Sequence, residues 1–339
     1  MSDRRKIRWL IAHYPVHLFQ RTAEAFGCEL ETLCPGQFEV EIHTVDSFVE
    51  QYNKLHILQA RAPQLPGLEE KGGRVQQHAV KDFSKITEKW DTFFNALRDG
   101  EFEMSQTQVY TVATQLHNKD FAALDLPFLF NDHDHVSRVL DGEIGDALCE
   151  RLGDIKGLAF TYSGGYRIIG STKGLNNLSD LANTELVVAN EPSAVLFKDI
   201  SSTTMKRPDI DVASLADDSE KDKAVETTYL RFTGKHVLKT NHSIFMTTIL
   251  TGTKFLDSLT DEQRQAFKIA AKRVAKIERQ WSIEDAQRFE DEAVEKGISI
   301  VDINNEDLDQ LRRKAQKSYI HLDKLGIDRK LVKTIIDQR

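Results

Sequence analysis

Cysteine is nearly absent from this chain. Cys28, Cys34 and Cys149 are the only three in 339 residues. An odd number at no metal-ligand spacing supports neither a disulfide framework nor a thiolate zinc site. Cys28 and Cys34 could pair only if their Cα atoms came within roughly 7 Å. Long apolar runs are missing too. No stretch approaches the roughly 18–20 residues that span a bilayer. The N-terminal segment Ile7–Ala12 is shorter than the ~7–15-residue apolar core of a secretion signal. As written, the chain starts either like a cytoplasmic protein or like an export substrate whose signal has been removed. Positive charge is also short: 45 Lys and Arg stand against 53 Asp and Glu, a net charge of -8. Phosphate binding needs clustered cations, so nucleic acid is excluded as the main partner.

Signatures of catalysis are absent as well. Thr251-Gly252-Thr253-Lys254 lacks the leading glycine and the spacing of a phosphate-binding loop. Gly164 to Gly170 is not a dinucleotide fingerprint, and no Gly-x-Ser-x-Gly elbow occurs. Asp132-His133-Asp134-His135 is the one dense run of metal-ligand types. On a helix, neighbouring side chains point about 100° apart, so the two histidines do not converge on one ion. The run reads as a polar helix start. His13, His78, His117, His236, His242 and His321 are scattered and read as structural. No metal or cofactor is implied, and no reaction is identified.

What is present is an ordinary globular composition, 40% hydrophobic and 29% charged. The length suits two domains. Residues 7–12 read as a buried strand, residues 17–33 as a helix and residues 38–42 as a half-buried strand. That is a β-α-β opening, the unit of a parallel sheet covered by helices. A helix is expected at 46–60 and another at 85–98. Phe121–Phe130 is strongly apolar and reads as buried strand or chain next to a hinge. Asp132 is placed to cap a helix through Val136, Val139 and Leu140. Strands are expected at 158–162 and 166–169, separated by Gly164-Gly165, and at 185–189. Trp9, Trp90 and Trp281 read as core, and the charged run 217–223 as a solvated helix face. Thr260-Asp261-Glu262-Gln263 has the spacing of a capping box. It opens a pattern that runs to Gly297, either one helix of roughly 54 Å or two with a kink near Ser282.

Several segments together resemble the solute-binding proteins of TRAP transporters, the DctP-type family. These are Leu97–Glu103, Leu126–Phe130 followed by Val139–Gly145, Gly165-Tyr166-Arg167, Ser171–Gly174 and Leu178–Leu181. Glu226-Thr227-Thr228, Thr240-Asn241-His242 and Leu259–Gln263 continue the series. The resemblance covers roughly residues 5–335, and its specificity lies in the order and spacing of the pieces. It implies a two-lobed α/β periplasmic-binding-protein-like fold with hinge strands, a long helix spanning both lobes and a ligand cleft that closes on binding. The expected division is 1–164 plus 253–292 for lobe I and 165–252 plus 293–339 for lobe II.

The resemblance also implies ligand contacts, position by position. The arginine of the family's "GfR" segment is Arg167. The main carboxylate-clamping arginine, twenty residues on, is replaced by Val187. Asn190 fits a polar contact three residues later, Glu226 and Thr227 fall at "EnP", and Gln106, Gln108 and His13 fall at further polar positions. A valine donates no hydrogen bonds, whereas an arginine fork donates two in parallel. Three explanations are open. Arg167 is the sole anchor, or the ligand is neutral or zwitterionic, or another arginine, Arg207 or Arg231, fills the place. The stretch 50–88 is longer than the family norm, suiting a flap or partner surface. The function implied is a periplasmic, monomeric, non-catalytic carrier of a small polar organic solute, an organic acid, for the membrane subunits of a TRAP-type transporter. The alternatives are a ligand sensor for a signalling partner and a cytoplasmic α/β enzyme. On the carrier reading, the N-terminal fork resolves toward a removed signal.

Overall fold

A computed structural model describes residues 4–12, 16–44, 76–79, 90–206, 223–229 and 234–339. The expected helix at 46–60, most of the 50–88 stretch, the charged run 217–222, and Arg207 and Arg231 lie outside the described residues. In chain order the first strands are β1 (Arg5–Ile11), β2 (Phe38–Thr44), β3 (Gln76–Ala79), β4 (Met104–Gln108), β5 (Ile155–Tyr166) and β6 (Ile168–Ser171). Then come β7 (Glu185–Val188), β8 (Thr203–Lys206), β9 (Lys223–Thr227), β10 (His236–Lys239), β11 (Ile244–Gly252) and β12 (Ser299–Asp302). They form two six-stranded sheets, ordered β3-β2-β1-β4-β11-β5 and β12-β10-β6-β9-β7-β8. The chain divides into two compact units. The first holds residues 1–118, 137–162 and 247–281, the second 119–136, 163–246 and 282–339. Strands β5 and β11 and the long helix each contain a boundary.

In the first unit, β1 and β2 pair in parallel, with Ile7 opposite Val40 and Trp9 opposite Ile42. The helix Val16–Leu33 connects them, the crossover that a parallel pair needs. Strand β11 enters antiparallel to β4. Phe26 of that helix lies 5.3 Å from Trp9 and 5.5 Å from Phe267, ring centre to ring centre. One strand, its crossover helix and the long helix therefore share an aromatic core. Trp9 and Trp281 are buried, and Trp90 is half-buried. In the second unit, β7 runs parallel to β8 and β9, while β6 is antiparallel to β9 and β10. Ile169, Leu186, Leu196, Phe197 and Leu311 lie in its core.

The long helix is a single element, Asp261–Glu295. Its start is the reciprocal box expected: Thr260 N donates to Gln263 Oε1 at 3.0 Å and Gln263 N to Thr260 Oγ1 at 3.3 Å. Its end is set by Gly297 at φ +78°. There Ile298 N returns to Ala293 O at 2.9 Å, the closing bond that a left-handed glycine permits. The helix does not break at Ser282, whose hydroxyl accepts instead from Gly164 N at 2.8 Å.

Other expectations change. Phe121–Phe130 is not a strand. It forms a short helix, Lys119–Ala122, a 3-10 turn, Ala123–Asp125, and irregular chain beyond. Pro127 cannot donate to a ladder, and Phe128 sits at φ +57°. Phe128 N donates to His242 O at 2.6 Å and Tyr319 OH to Pro127 O at 2.6 Å. These contacts group residues 119–136 with the second unit, although the expected division had them in lobe I. Gly164 and Gly165 do not interrupt β5, which runs through them at positive φ. Cys28 and Cys34 do not form a disulfide. Asp132 does cap the helix His133–Leu140, accepting from His135 N at 2.7 Å. His135 is buried with Nε2 2.8 Å from Ile335 O, and no metal-binding group occurs among the described residues.

The segment Val139–Gly145 has a steric reason for its last glycine. A Cβ on Gly145 would lie 1.9 Å from Leu140 O, a backbone atom that cannot rotate away. Gly145→Ala is expected to destabilise the protein by about 1–3 kcal/mol, the cost of overpacking. Its urea midpoint, compared with that of wild type, measures the loss.

Candidate functional site

The residues singled out in the sequence fall in two buried clusters, one in each unit. In the second unit, Arg167 occupies the single-residue gap between β5 and β6, and its N–H donates to Ser243 O at 2.8 Å. The side chain is only 1% exposed. Its Cζ lies 4.1 Å from the centre of the Phe245 ring, a cation–π contact. Nη2 is 3.5 Å from Asp125 Oδ1, and Nε is 3.8 Å from Glu226 Oε1. Both gaps exceed the ~2.7–2.9 Å of a charge-assisted hydrogen bond. Arg167 Nε and Asp125 Oδ2 are buried without hydrogen-bond partners among the described residues.

Glu226 is far better held. Oε1 accepts from Ser193 Oγ at 2.6 Å and lies 2.9 Å from His242 Nε2, and Oε2 accepts from Ala189 N at 2.8 Å. His242 Nδ1 is 2.8 Å from Thr240 Oγ1. The two ring nitrogens thus link the Thr240 hydroxyl to the Glu226 carboxylate. Asn190, two residues past β7, caps the helix Glu191–Phe197, its Oδ1 accepting from Ser193 N at 2.9 Å. The cap sets the backbone at Ser193 and so presents the Ser193 hydroxyl to Glu226. Asn190 Nδ2 is buried without an acceptor among the described residues.

The two carboxyls are driven apart electrostatically. Burial pushes Asp125 up to about 6 against the pull of Arg167, and Glu226 adds to the rise. The same burial would raise Glu226, but Arg167 and the bonds from His242 and Ser193 outweigh it and hold that group at about 2. Glu226 is thus a permanent anion, and Asp125 titrates close to neutrality.

In the first unit, Gln106 lies on the central strand β4. Its Nε2 is 2.8 Å from Thr161 Oγ1, 3.1 Å from Thr247 Oγ1 and 3.2 Å from Glu278 Oε1. Tyr162 N donates to Glu278 Oε2 at 2.8 Å. Burial pushes Glu278 up to about 8, against the Tyr162 N–H and the charges of Arg279 and Arg21. Arg279 itself is directed to Phe160 O and Asp141. The chain passes between the units at five places, and Thr161, Tyr162, Thr247 and Glu278 lie within four residues of three of them. This cluster therefore ties both crossing strands to the long helix inside the first unit.

The structure brings Arg167, Glu226 and Asn190 into one neighbourhood. Thr227 follows Glu226 on β9, where successive side chains face opposite ways, and its hydroxyl donates to Thr228 O at 3.3 Å. Val187 is buried within β7, paired with Met205 and Val225. Gln106 belongs to the other unit's cluster. Gln108 ends β4, buried, and leads into the helix Val109–Gln115 without a side-chain cap. His13 lies outside the described residues. Three participants were missing from the expected set. Asp125 carried a signal, being a lone charge in the apolar run 121–130. His242 stood in a family-like segment, whereas Ser193 carried no signal.

The comparisons with known proteins agree with this frame. The model of the family described as "Bacterial extracellular solute-binding protein, family 7" (DctP) matches residues 68–198 and 224–324. A solute-binding protein from Verminephrobacter eiseniae is 27% identical over 254 residues, covering 66% of this chain and 74% of that protein. The 2,3-diketo-L-gulonate-binding periplasmic protein YiaO of Escherichia coli K12 is 26% identical over 188 residues, covering 52% and 57%. A TRAP periplasmic solute-binding protein from Haemophilus influenzae with bound L-gulonate has a similar structure. Its TM-score is 0.74 at 18% identity, covering 99% of this chain and 100% of that one.

Two outcomes follow from the charges. Glu226→Gln should cost about 3–5 kcal/mol, because it breaks a buried ion pair. Ser193→Ala should cost only about 1–3 kcal/mol, as for one buried partner lost. Urea unfolding at pH 7 ranks them. Glu278 has a folded value raised above its free one, so the folded state holds the extra proton between about 4.5 and about 8. Its contribution to stability is fully present below pH 4.5 and is lost as pH rises to 8, by up to about 1.4 kcal/mol per pH unit. Glu278→Gln should flatten that decline in unfolding curves taken from pH 5 to pH 8.

Proposed function

The chain belongs to the bacterial extracellular solute-binding proteins, family 7, and we propose that it captures a small organic acid and delivers it to a TRAP-type membrane transporter. The observation that carries this reading is the family match across residues from both units. The ligands named for the relatives support the chemistry: 2,3-diketo-L-gulonate for the Escherichia coli protein and L-gulonate for the Haemophilus influenzae structure. Both are sugar acids, with one carboxylate and several hydroxyls.

We read the chain as a periplasmic monomer that binds without turnover. The family's description as extracellular supports the location. No described helix is long and apolar enough to cross a membrane, which leaves the membrane part to the transporter subunits. Arg167 is the residue to which we assign the ligand's carboxylate. Its buried guanidinium has an Nε without an acceptor among the described residues, and Val187 offers no donor in place of the arginine that the family resemblance led one to expect. Asn190, whose buried amide Nδ2 has no acceptor among the described residues, is assigned a hydroxyl or carbonyl of the same ligand. Glu226 orients this neighbourhood through Ser193, His242 and Arg167. Gln106, Gln108, Thr227 and His13 stay as further proposed contacts.

Tight binding to the folded state raises the unfolding midpoint. A thermal-shift screen across sugar acids, dicarboxylates, amino acids and compatible solutes should give its largest shifts with the acids. Shifts from neutral solutes alone would overturn the organic-acid assignment. Arg167→Ala should weaken the best acid at least about tenfold by calorimetry, the scale of a charged hydrogen bond lost. Unchanged affinity would remove Arg167 from the site.

A further inference from the structure

Resting on that assignment of the ligand's carboxylate to Arg167, we propose that Asp125 takes up one proton from solvent as the anion binds, so that this protein captures an organic acid together with a proton. The reason is charge balance in a dry place. Arg167, Asp125 and Glu226 are each almost fully buried. With both carboxylates ionised they sum to a net charge of one negative. A ligand carboxylate brought to the same guanidinium would make it two, in surroundings where unpaired charge is expensive.

One of the two protein carboxylates must therefore give way, and the geometry distinguishes them. Glu226 is held by three close hydrogen-bond partners, Ser193 Oγ, His242 Nε2 and Ala189 N. Asp125 has only the 3.5 Å contact to Arg167 Nη2, and its Oδ2 has no partner among the described residues. The charged groups that face Asp125 are Arg167, from the gap between β5 and β6, and Glu226, from β9. The adjoining residues of its own turn, Leu124 and Leu126, are apolar and buried. His242 faces Glu226 and not Asp125, with Nε2 2.9 Å from Glu226 Oε1 and Nδ1 2.8 Å from Thr240 Oγ1.

Asp125 is also the group closest to accepting a proton. With its carboxyl pushed up to about 6, about a tenth of it is protonated at pH 7. In the complex, Asp125 holds the proton on Oδ2 and donates that O–H to the ligand's carboxylate, which Arg167 contacts from the other side. The proton leaves hydronium or the buffer acid and bonds to Oδ2, and no bond between heavy atoms changes. Proton uptake fixes the direction of the pH dependence. Affinity falls about tenfold per pH unit between pH 7 and pH 8 and levels off below about pH 6, where Asp125 already carries the proton. Asp125 is thus a ligand contact that makes the site sensitive to pH.

Calorimetry of the full chain tests this. The probe is whichever of L-gulonate, D-galactonate and succinate gives the largest thermal shift. It is titrated at pH 7.5 in two buffers of different ionisation enthalpy. The slope of binding enthalpy against buffer enthalpy counts protons. We expect an uptake close to one for wild type, and close to zero for Asp125→Asn, whose affinity should be nearly constant from pH 6 to pH 8. Binding with no uptake by wild type would overturn the proton coupling and leave the carrier reading standing. Full uptake retained by Asp125→Asn would overturn the assignment to Asp125. Failure of all three acids and of the wider screen to bind would overturn the organic-acid reading, and the coupling with it. The wild-type count needs no variant, so a poorly folding Asp125→Asn does not spoil the test.

Discussion

A guanidinium removed from water has to be matched by negative charge, and much of the second unit's polar architecture follows from that constraint at Arg167. Its backbone is pinned to Ser243 and its face rests on Phe245. Two carboxylates come from distant parts of the sequence, Asp125 and Glu226. Keeping Glu226 ionised in the same dry place needs its own partners, and each is supplied by local structure. The helix cap at Asn190 positions Ser193, the residue after β7 offers Ala189 N, and the link between β10 and β11 carries His242. Removing one partner from such a set costs more than the pair contributes, because the remaining charge stays buried.

The first unit resolves a similar constraint in the opposite way. Glu278 is buried among Gln106, Thr161, Thr247 and the Tyr162 N–H, with Arg279 engaged elsewhere. Burial outweighs the pull of Arg279 and Arg21, and the carboxyl is pushed up to about 8. One buried glutamate is therefore an anion and the other a neutral acid. The difference lies in the proximity of a guanidinium, not in residue type. This is why a carboxylate's role here follows from its neighbours and not from its place in the sequence.

Much of the backbone is legible in the order of residues alone. The β1–helix–β2 opening follows from period-3.6 and period-2 apolar spacing, and the long helix from its capping box and terminal glycine. Both are signals carried within a few residues. The errors share a cause. Phe121–Phe130 resembles a strand because it is apolar, but burial does not specify conformation, and Pro127 and Phe128 bend the chain around Asp125. Gly164 and Gly165 resemble a break because glycine is a common punctuator, yet β5 passes through them. The candidate site is half legible. Arg167, Glu226 and Asn190 stand out through family resemblance. Gln106 does as well, but its amide is directed to Glu278, a partner 172 residues away that no local pattern could indicate.

The sequence by itself determined the α/β class, the two ends of the long helical stretch, the lack of a membrane-spanning run and the kinship with extracellular solute-binding proteins. These depend on composition, short-range periodicity and ordered motifs, all of which are written along the chain. Only the tertiary structure decided which charges meet. Asp125, Arg167, Ser193, Glu226 and His242 span nearly a hundred and twenty positions, and their ionisation depends on separations of a few ångströms in a place without water. Coulomb energy and desolvation act through space, so the protonation of each carboxylate became readable only once the fold had brought its partners together.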